Sequence, residues 1–368
     1  MDIKALTVTD LKAALSSEDF WHTGILPITK HRALSYIHNP RAAEDDVVLL
    51  VAYQDGRVIG YLGILPDTIF SANSSCKVGW LTSWWVDPAY AGSGVGAVLL
   101  FKAFNAHRQQ LGVSGSSRQA AKVLDATGKF MSLKTIKGLD IRLRFDWSGA
   151  WLRKRPALRP LRYLLKLFDC IANEIVSYRG LAWQRHNTAL TGLTFEYISN
   201  IDEETDRFIQ EQNRQDLTRK AAADLNWIMN YPWILPAPLK DSTGRRYFFS
   251  SRADRFFYLG VKVFGQDKKM AGFYLAKVRD ERMSIVFSFF SQRHARSIAA
   301  AVFFHALKMD VSVLSLYDEQ MVAGFMALDC PCWSIKRVSR GFSLSKTLAD
   351  VPPINYRLHG GDGDLAFY

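Results

Sequence analysis

Apolar and polar positions follow one another in a regular order along the first part of the chain. After a weakly helical start, two β-rich runs within 47–65 flank an Asp-Gly pair, which favours a tight hairpin turn. A third apolar strand is predicted at 77–86, and a glycine-rich turn leads from it into an apolar-faced helix at 94–112. A short strand or turn, a second helix at 118–130 and a strand at 136–145 complete the order.

The same order recurs after residue 196. A hairpin is predicted at 256–278, a strand at 283–290 and a helix at 295–310. No glycines join this strand to this helix, because the connecting residues 291–297 read SQRHARS. Two copies of one mixed α/β (α+β) fold are therefore expected, each with a largely antiparallel central sheet flanked by helices.

The predicted boundaries place one domain at 1–146, a connector at 147–195 and a second domain at 196–368. A chain of 368 residues with 48% hydrophobic residues fits two domains of ordinary size. The connector carries eight Lys and Arg but only two Asp and Glu, in a chain whose formal net charge is +12. This local excess of positive charge asks for a local explanation.

The connector predicts a basic helix from Leu158 onward. Helical spacing would set Arg159, Arg162 and Lys166 on one side, with apolar and aromatic residues covering much of the rest. Such a helix suits peripheral contact of 151–168 with an anionic membrane or a lipid-linked substrate. The alternative is a helix packed between domains with its basic edge in water.

Composition narrows the class of protein further. The four cysteines, Cys76, Cys170, Cys330 and Cys332, lack the spacing of a zinc site, so no metal is expected. The N-terminus lacks a basic flank followed by an apolar run, so we expect a cytoplasmic protein. A monomer is the expected state.

The glycines of WWVDPAYAGSGVGAVLL (84–100) stand at the start of a predicted helix. A helix N-terminus presents unpaired backbone N–H groups, and glycines let an anion such as phosphate approach them closely. The spacing is not the dinucleotide-binding G-x-G-x-x-G, and the Lys that closes a Walker loop is absent.

This stretch resembles the acyl-coenzyme A loop of the GCN5-related N-acetyltransferase (GNAT) superfamily. The matching positions are Val86, Pro88, Tyr90, Gly92, Gly94, Val95, Gly96, Leu99 and Leu100. The resemblance covers about 1–146, and the second half resembles the same fold by the order of its elements alone. Tandem arrangements with one degenerate copy are known in this superfamily.

The resemblance implies acetyl-CoA as the acyl donor. The pantetheine arm would lie along Trp84, Trp85 and Val86, and the diphosphate on a turn made of Ala91, Gly92, Ser93, Gly94, Val95 and Gly96. Three positions depart from the family pattern. Ala91 replaces the usual Arg or Gln, Leu124 the Tyr that protonates the departing thiolate, and Trp80 the Glu base of some members.

The missing base leaves several candidates. His22 and His31 lie in 20–42, the segment expected to face the acceptor, and Asp67 follows a strand that should end near the cleft. The fourth candidate is Tyr368, whose terminal carboxylate would reach the site on a flexible, glycine-containing tail. Asp362 and Asp364 of that tail are further carboxylates of the same kind.

The sequence thus predicts an N-acyltransferase whose acceptor is an amine on a small molecule or a carbohydrate, with surface polysaccharide biosynthesis as one setting. Two alternatives stay open. One is a degenerate GNAT protein that only binds acyl-CoA or nucleic acid. The other is a Fem-type aminoacyltransferase that uses charged tRNA, which the coenzyme A loop disfavours, so nucleic acid is not expected as a partner.

Overall fold

The computed structural model describes residues 1–21, 23–71, 74–146, 156–237 and 246–368. The helices are α1 Val8–Leu15, α2 Glu18–Trp21, α3 Lys30–Ile37, α4 Val95–Ala106, α5 Arg118–Thr127, α6 Arg162–His186, α7 Glu203–Gln212, α8 Ala222–Asn230, α9 Ala295–Lys308 and α10 Glu319–Met326. The strands are β1 Asp2–Thr7, β2 Val47–Gln54, β3 Arg57–Phe70, β4 Ser75–Val86, β5 Leu111–Val113, β6 Phe130–Ser132, β7 Ile136–Arg142, β8 Thr194–Ile198, β9 Leu235–Pro236, β10 Arg252–Ala253, β11 Phe256–Phe264, β12 Met270–Arg279, β13 Arg282–Phe290, β14 Val313–Leu316, β15 Ser334–Arg340 and β16 Ser343–Ser345.

The first predicted hairpin is present as β2 and β3. Its turn residues Asp55 and Gly56 have φ of 49° and 75°, the left-handed pair that a tight Asp-Gly turn requires. The predicted helix at 94–112 ends earlier, at Ala106, because Leu111 already begins β5. The pattern did not predict β1, in which no residue is fully buried and apolar and polar residues alternate only weakly.

The first seven-stranded sheet has the order β1-β2-β3-β4-β5-β16-β6. β4 and β5 run parallel, and every other neighbouring pair in this sheet is antiparallel. Helix α4 covers one face, where Leu99, Ala103 and Phe104 are buried against residues of β2, β3 and β4. This face supplies the core beneath the glycine-rich turn.

The second seven-stranded sheet has the order β15-β7-β14-β13-β12-β11-β8. Strands β13 and β14 run parallel, whereas β12–β13, β7–β14 and β8–β11 are antiparallel. Between β13 and α9 a short 3₁₀ turn at Gln292–His294 stands where the first sheet has glycines. The predicted fold class is confirmed: two mixed, largely antiparallel sheets are each flanked by helices.

The chain forms two compact units that combine segments from both halves of the sequence. One consists of 1–136, 199–257 and 340–368, and the other of 137–198 and 258–339. These units do not follow the predicted boundaries at 146 and 196. The physical reason is an exchange of strands: β16 completes the first sheet between β5 and β6, and β7 completes the second beside β14.

The predicted connector helix is α6, which a 3₁₀ turn at Pro156–Leu161 precedes. Arg162 and Lys166 are exposed, whereas residues 151–155 and the side chain of Arg159 lie outside the described part of the chain. Within the described ranges, no helix is both long and apolar enough to cross a bilayer.

Candidate active site

The first sheet opens between its two parallel strands. Residues 79–81 of β4 pair with 111–113 of β5, but β4 continues to Val86 while β5 ends. Ser83 has φ 49°, an irregularity that turns the strand at the point where pairing stops. A cavity of about 380 Å³ lies at this opening, and it is lined by Leu81, Thr82, Ser83, Trp84, Val113, Ser114, Gly115, Ser116, Ser117, Ala120, Leu124, Phe249, Asp364, Leu365 and Tyr368.

The glycine-rich turn begins α4 close to this cavity. Gly92 and Gly94 have φ of 80° and 85°, which glycine adopts readily, and open space surrounds the position of a Cβ on either one. Gly94 is the N-cap of α4, so the first-turn N–H groups have no acceptor within the helix. Trp84 lines the cavity, and its ring lies 3.5 Å from the place of a Cβ on Gly96. This accessible, positively polarised turn fits a diphosphate.

The C-terminal segment is docked rather than flexible. Leu358–Asp364 is buried, and Phe367 stacks on Trp233 with ring centroids 4.3 Å apart. Gly363 has φ 65°, and a Cβ at this position would collide with Ser114. Gly363 therefore lets the tail pass close to Ser114, the residue after β5, and the docked tail corrects the expectation of a flexible one.

Tyr368 lies in the cavity and belongs to a cluster of hydroxyl groups around Arg32. Arg32 is buried and stacks on Trp233, with the guanidinium carbon 3.6 Å from a ring centroid. Its Nη1 donates hydrogen bonds to the hydroxyls of Tyr368 at 2.7 Å and Tyr247 at 2.8 Å. The Tyr368 hydroxyl is also 2.9 Å from the Ser83 hydroxyl. The phenol oxygen accepts from Arg32 and lies within hydrogen-bond distance of the cavity-lining hydroxyls of Thr82 and Ser83.

Asp364 is a buried carboxylate in the wall of the cavity. Its Oδ1 accepts a hydrogen bond from the Ser114 hydroxyl at 2.5 Å, and the backbone N–H of Asp364 donates to the Ser114 hydroxyl oxygen at 3.2 Å. Burial raises the pKa of Asp364, and hydrogen bonds from Ser114 and Thr82 with the charge of Arg32 offset only part of this effect. A carboxylate with a raised pKa beside a cavity is suited to accept a proton.

Asp67 lies in a buried ion-pair cluster. Lys220 Nζ donates to both of its oxygens at 2.9 Å, Arg41 donates to Oδ1 at 2.8 Å and Trp80 Nε1 to Oδ2 at 3.0 Å. Burial opposes the ionised form, but Lys220 and Arg41 outweigh it, so the pKa of Asp67 is below its ordinary value. A carboxylate with this many donors is poorly suited to be a base. Trp80, where some family members keep a Glu, instead helps to hold this cluster together.

The two histidine candidates fare differently. His31 Nε2 lies 2.8 Å from the Trp233 carbonyl and 3.2 Å from the Thr29 hydroxyl, and the cavity wall does not include His31. These contacts favour a structural role for its ring. His22 lies outside the described residues. Among the residues that are described, no group of three or more His, Cys, Asp or Glu could hold a metal ion.

The predicted pantetheine residues lie on the end of β4. Trp84 is in the cavity wall, whereas Trp85 stacks on Phe248 with ring centroids 4.6 Å apart, and Val86 is still paired with Gly60. Sequence reasoning missed Ser83 and Tyr247, since no local pattern marks either residue. Their proximity to Arg32 arises only because three distant segments meet.

Comparison with known proteins supports the interpretation of the turn. Residues 15–122 match the family model described as the acetyltransferase (GNAT) family. No curated protein matches the sequence of the chain. The matched range 15–122 includes the whole glycine-rich turn and the strands that form the opening.

Structural superposition aligns most of the chain with each of three solved structures. A protein of Enterococcus faecalis V583, described as a conserved protein of unknown function and probable N-acyltransferase, has a TM-score of 0.52 at 9% identity over 93% of this chain and 72% of its own. A tandem GNAT protein from the clavulanic acid biosynthesis pathway has a TM-score of 0.48 at 12% identity over 94% of this chain and 98% of its own. A GCN5-related N-acetyltransferase from Kribbella flavida has a TM-score of 0.46 at 11% identity over 93% and 70%.

The first of these structures shows a shared fold, and the family model confirms the resemblance that the glycine-rich turn carried. The chain therefore contains, at residues 15–122, a domain of the acetyltransferase (GNAT) family, a family of acyl-transfer enzymes.

Proposed function

We propose that this protein transfers the acetyl group of acetyl-CoA to an amine on a small molecule or a carbohydrate. One observation carries the proposal: the sheet opens between β4 and β5, and the cavity at this opening lies beside a helix N-terminus that fits a diphosphate. A thioester arm laid between the strands would bring its reactive end to Ser83 and Tyr368.

Backbone groups of the turn and of β4, together with the size of the cavity, would bind the acetyl-CoA donor. The N–H groups of the turn at 91–96 would bind the diphosphate, and the edge of β4 at 84–86 that does not pair with β5 would bind the pantetheine arm. Holding the thioester beside the acceptor supplies much of the rate of such a reaction. The cavity is about 380 Å³, and it must admit both the thioester end and the acceptor, which favours a short acyl group.

The reaction needs two proton transfers. The amine nitrogen attacks the thioester carbonyl carbon, a C–N bond forms, the C–S bond breaks, and the thiolate leaves with the sulfur electron pair. Asp364 would take the proton that the amine loses, because its carboxylate lies in the cavity wall with a raised pKa. The hydroxyl of Tyr368 would donate a proton to the thiolate, a role for which the family's usual Tyr is replaced by Leu124 in the same wall.

The side chains that line the cavity favour a polar amine as the acceptor. The cavity wall combines the hydroxyls of Thr82, Ser83, Ser114, Ser116 and Ser117 with the aromatic rings of Trp84 and Phe249. Hydroxyl groups and aromatic faces together are what a sugar or another hydroxyl-bearing amine requires. For a carbohydrate acceptor, we propose surface polysaccharide biosynthesis as the setting.

Calorimetric titration with acetyl-CoA tests the donor site. Gly94→Glu places bulk and negative charge in the turn and should abolish binding. Gly56→Glu is the matched control, since Gly56 has a similar φ of 75° and equally open space but lies in the β2–β3 turn. Equal binding by both variants would refute the assignment of the turn. Transfer is then tested with a panel of amino sugars and other amines, and the free thiol released from acetyl-CoA is measured for each. The amines that release thiol identify the acceptor class.

A further inference from the structure

Within the second unit, one face of helix α6 packs on α9. Asp169 and Gly180 are buried, and the ring of Trp183 meets Phe303 of α9 edge-on with centroids 4.8 Å apart. A Cβ on Gly180 would lie 3.4 Å from Leu307, also on α9. This face accounts for how the helix is held, and it leaves the opposite face pointing away from α9.

The opposite face is apolar and exposed. Its side chains are 46–74% exposed, and they are Leu161, at the end of the 3₁₀ turn that leads into α6, and Leu164, Phe168, Ile171, Ile175 and Tyr178 of the helix itself. The steps between them alternate between three and four residues, which is the spacing of the seam by which two helices pack in a coiled coil. An exposed apolar stripe of this length marks an interaction surface.

The charges beside the stripe indicate what covers it. Glu174 and Arg179 occupy the two positions that flank such a seam, five residues apart, and neither forms an ion pair with another described residue. In two parallel helices related by a two-fold axis, these positions lie opposite each other, so that Glu174 of each copy meets Arg179 of the other. An exposed carboxylate at the edge of the stripe is unfavourable in the apolar part of a bilayer.

We propose that the exposed face of α6 pairs with the same face of a second copy of this chain, as a parallel two-fold dimer. The six apolar side chains form the seam, and two Glu174–Arg179 pairs set its direction and register. This dimer replaces the monomer that the sequence favours, and it does not depend on the proposed activity.

Sedimentation velocity on the full chain tests the pairing. Ile171→Glu places two carboxylates face to face in the seam and should convert the dimer to a monomer. Tyr163→Glu is the matched control, because Tyr163 is 82% exposed on the same helix but lies outside the seam, and it should stay dimeric. Unchanged circular dichroism in both variants would show that the fold is intact. A monomeric wild type, or a dimer that Ile171→Glu does not weaken, would overturn the proposal.

Charge reversal tests the direction of the pair. Glu174→Arg and Arg179→Glu should each weaken the dimer by about tenfold, because each puts like charges opposite one another twice. The double variant should restore the dimer, and failure to restore it would overturn the parallel register. Flotation with phosphatidylserine-containing vesicles tests the alternative, in which the exposed face of α6 binds a membrane. A monomer that binds these vesicles through α6 would show a membrane surface instead of a dimer.

Discussion

Replacing Asp364 by Asn separates a catalytic role of this carboxylate from a structural one. The amide has the shape of the carboxylate and keeps an oxygen that can accept the hydrogen bond from Ser114, which is 2.5 Å long in the wild type. The tail should therefore stay docked. Only the ability to take a proton is lost.

The expected loss of turnover is about 10²- to 10⁴-fold, the usual contribution of a positioned base. The affinity for acetyl-CoA should not change, because the turn at 91–96 is untouched. Folding stability at neutral pH should stay equal or rise. Burial raises the pKa of Asp364 in the folded state, so its ionisation opposes folding as the pH increases through that pKa, and Asn removes this cost.

The assay is the pH dependence of kcat/KM, with the best amine of the panel as acceptor. In the wild type, activity should rise with pH along a limb that lies above the ordinary range of a carboxyl group, since the base works in its ionised form. Ser114→Ala should move this limb to higher pH, because it removes a hydrogen bond that favours the ionised form. Asp364→Asn should abolish the limb.

Asp362→Asn is the matched control. Asp362 is also buried with a raised pKa, but it accepts from Thr218 and from the backbone of His359 and is not part of the cavity wall. The limb should survive in this variant. An Asp364→Asn enzyme with an unchanged limb, or loss of the limb in Asp362→Asn alone, would refute the assignment of the base.

Two further substitutions test the other side chains of the site and its support. Tyr368→Phe removes the hydroxyl but keeps the terminal carboxylate, so turnover should fall about 10²-fold, and deletion of Tyr368 should lower turnover by no more than that. If Tyr368→Phe were active and the deletion inactive, the terminal carboxylate would be the base. Asp67→Asn should lower the free energy of unfolding, measured in urea, by about 3 kcal/mol or more, since it leaves Lys220 buried without a full counter-charge. Because the pKa of Asp67 is lowered by folding, this difference in unfolding free energy should be constant above about pH 5 and shrink as the pH falls below 4. As a control, Glu44→Gln at the exposed pair with Lys12 should leave the midpoint of urea unfolding unchanged.

Short stretches of the sequence determine several features of this protein. The Asp-Gly pair produces the β2–β3 turn, since few residues other than glycine adopt a left-handed backbone readily. The glycines before α4 do the same for the turn at 91–96, and that stretch alone identified the family. Apolar periodicity predicted most strands and helices, because each pattern acts over a few neighbouring residues.

The tertiary structure decided the rest. Strands β7 and β16 carry no mark that each pairs with strands far away in sequence, because the backbone hydrogen bonds that join two strands do not depend on their separation along the chain. The glycines of the tail suggested flexibility, but Gly363 is needed to pass closely by Ser114. Ser83, Arg32, Asp364 and Tyr368 meet only after these long-range contacts form, and for this reason the proton-transfer groups could not be chosen from sequence alone.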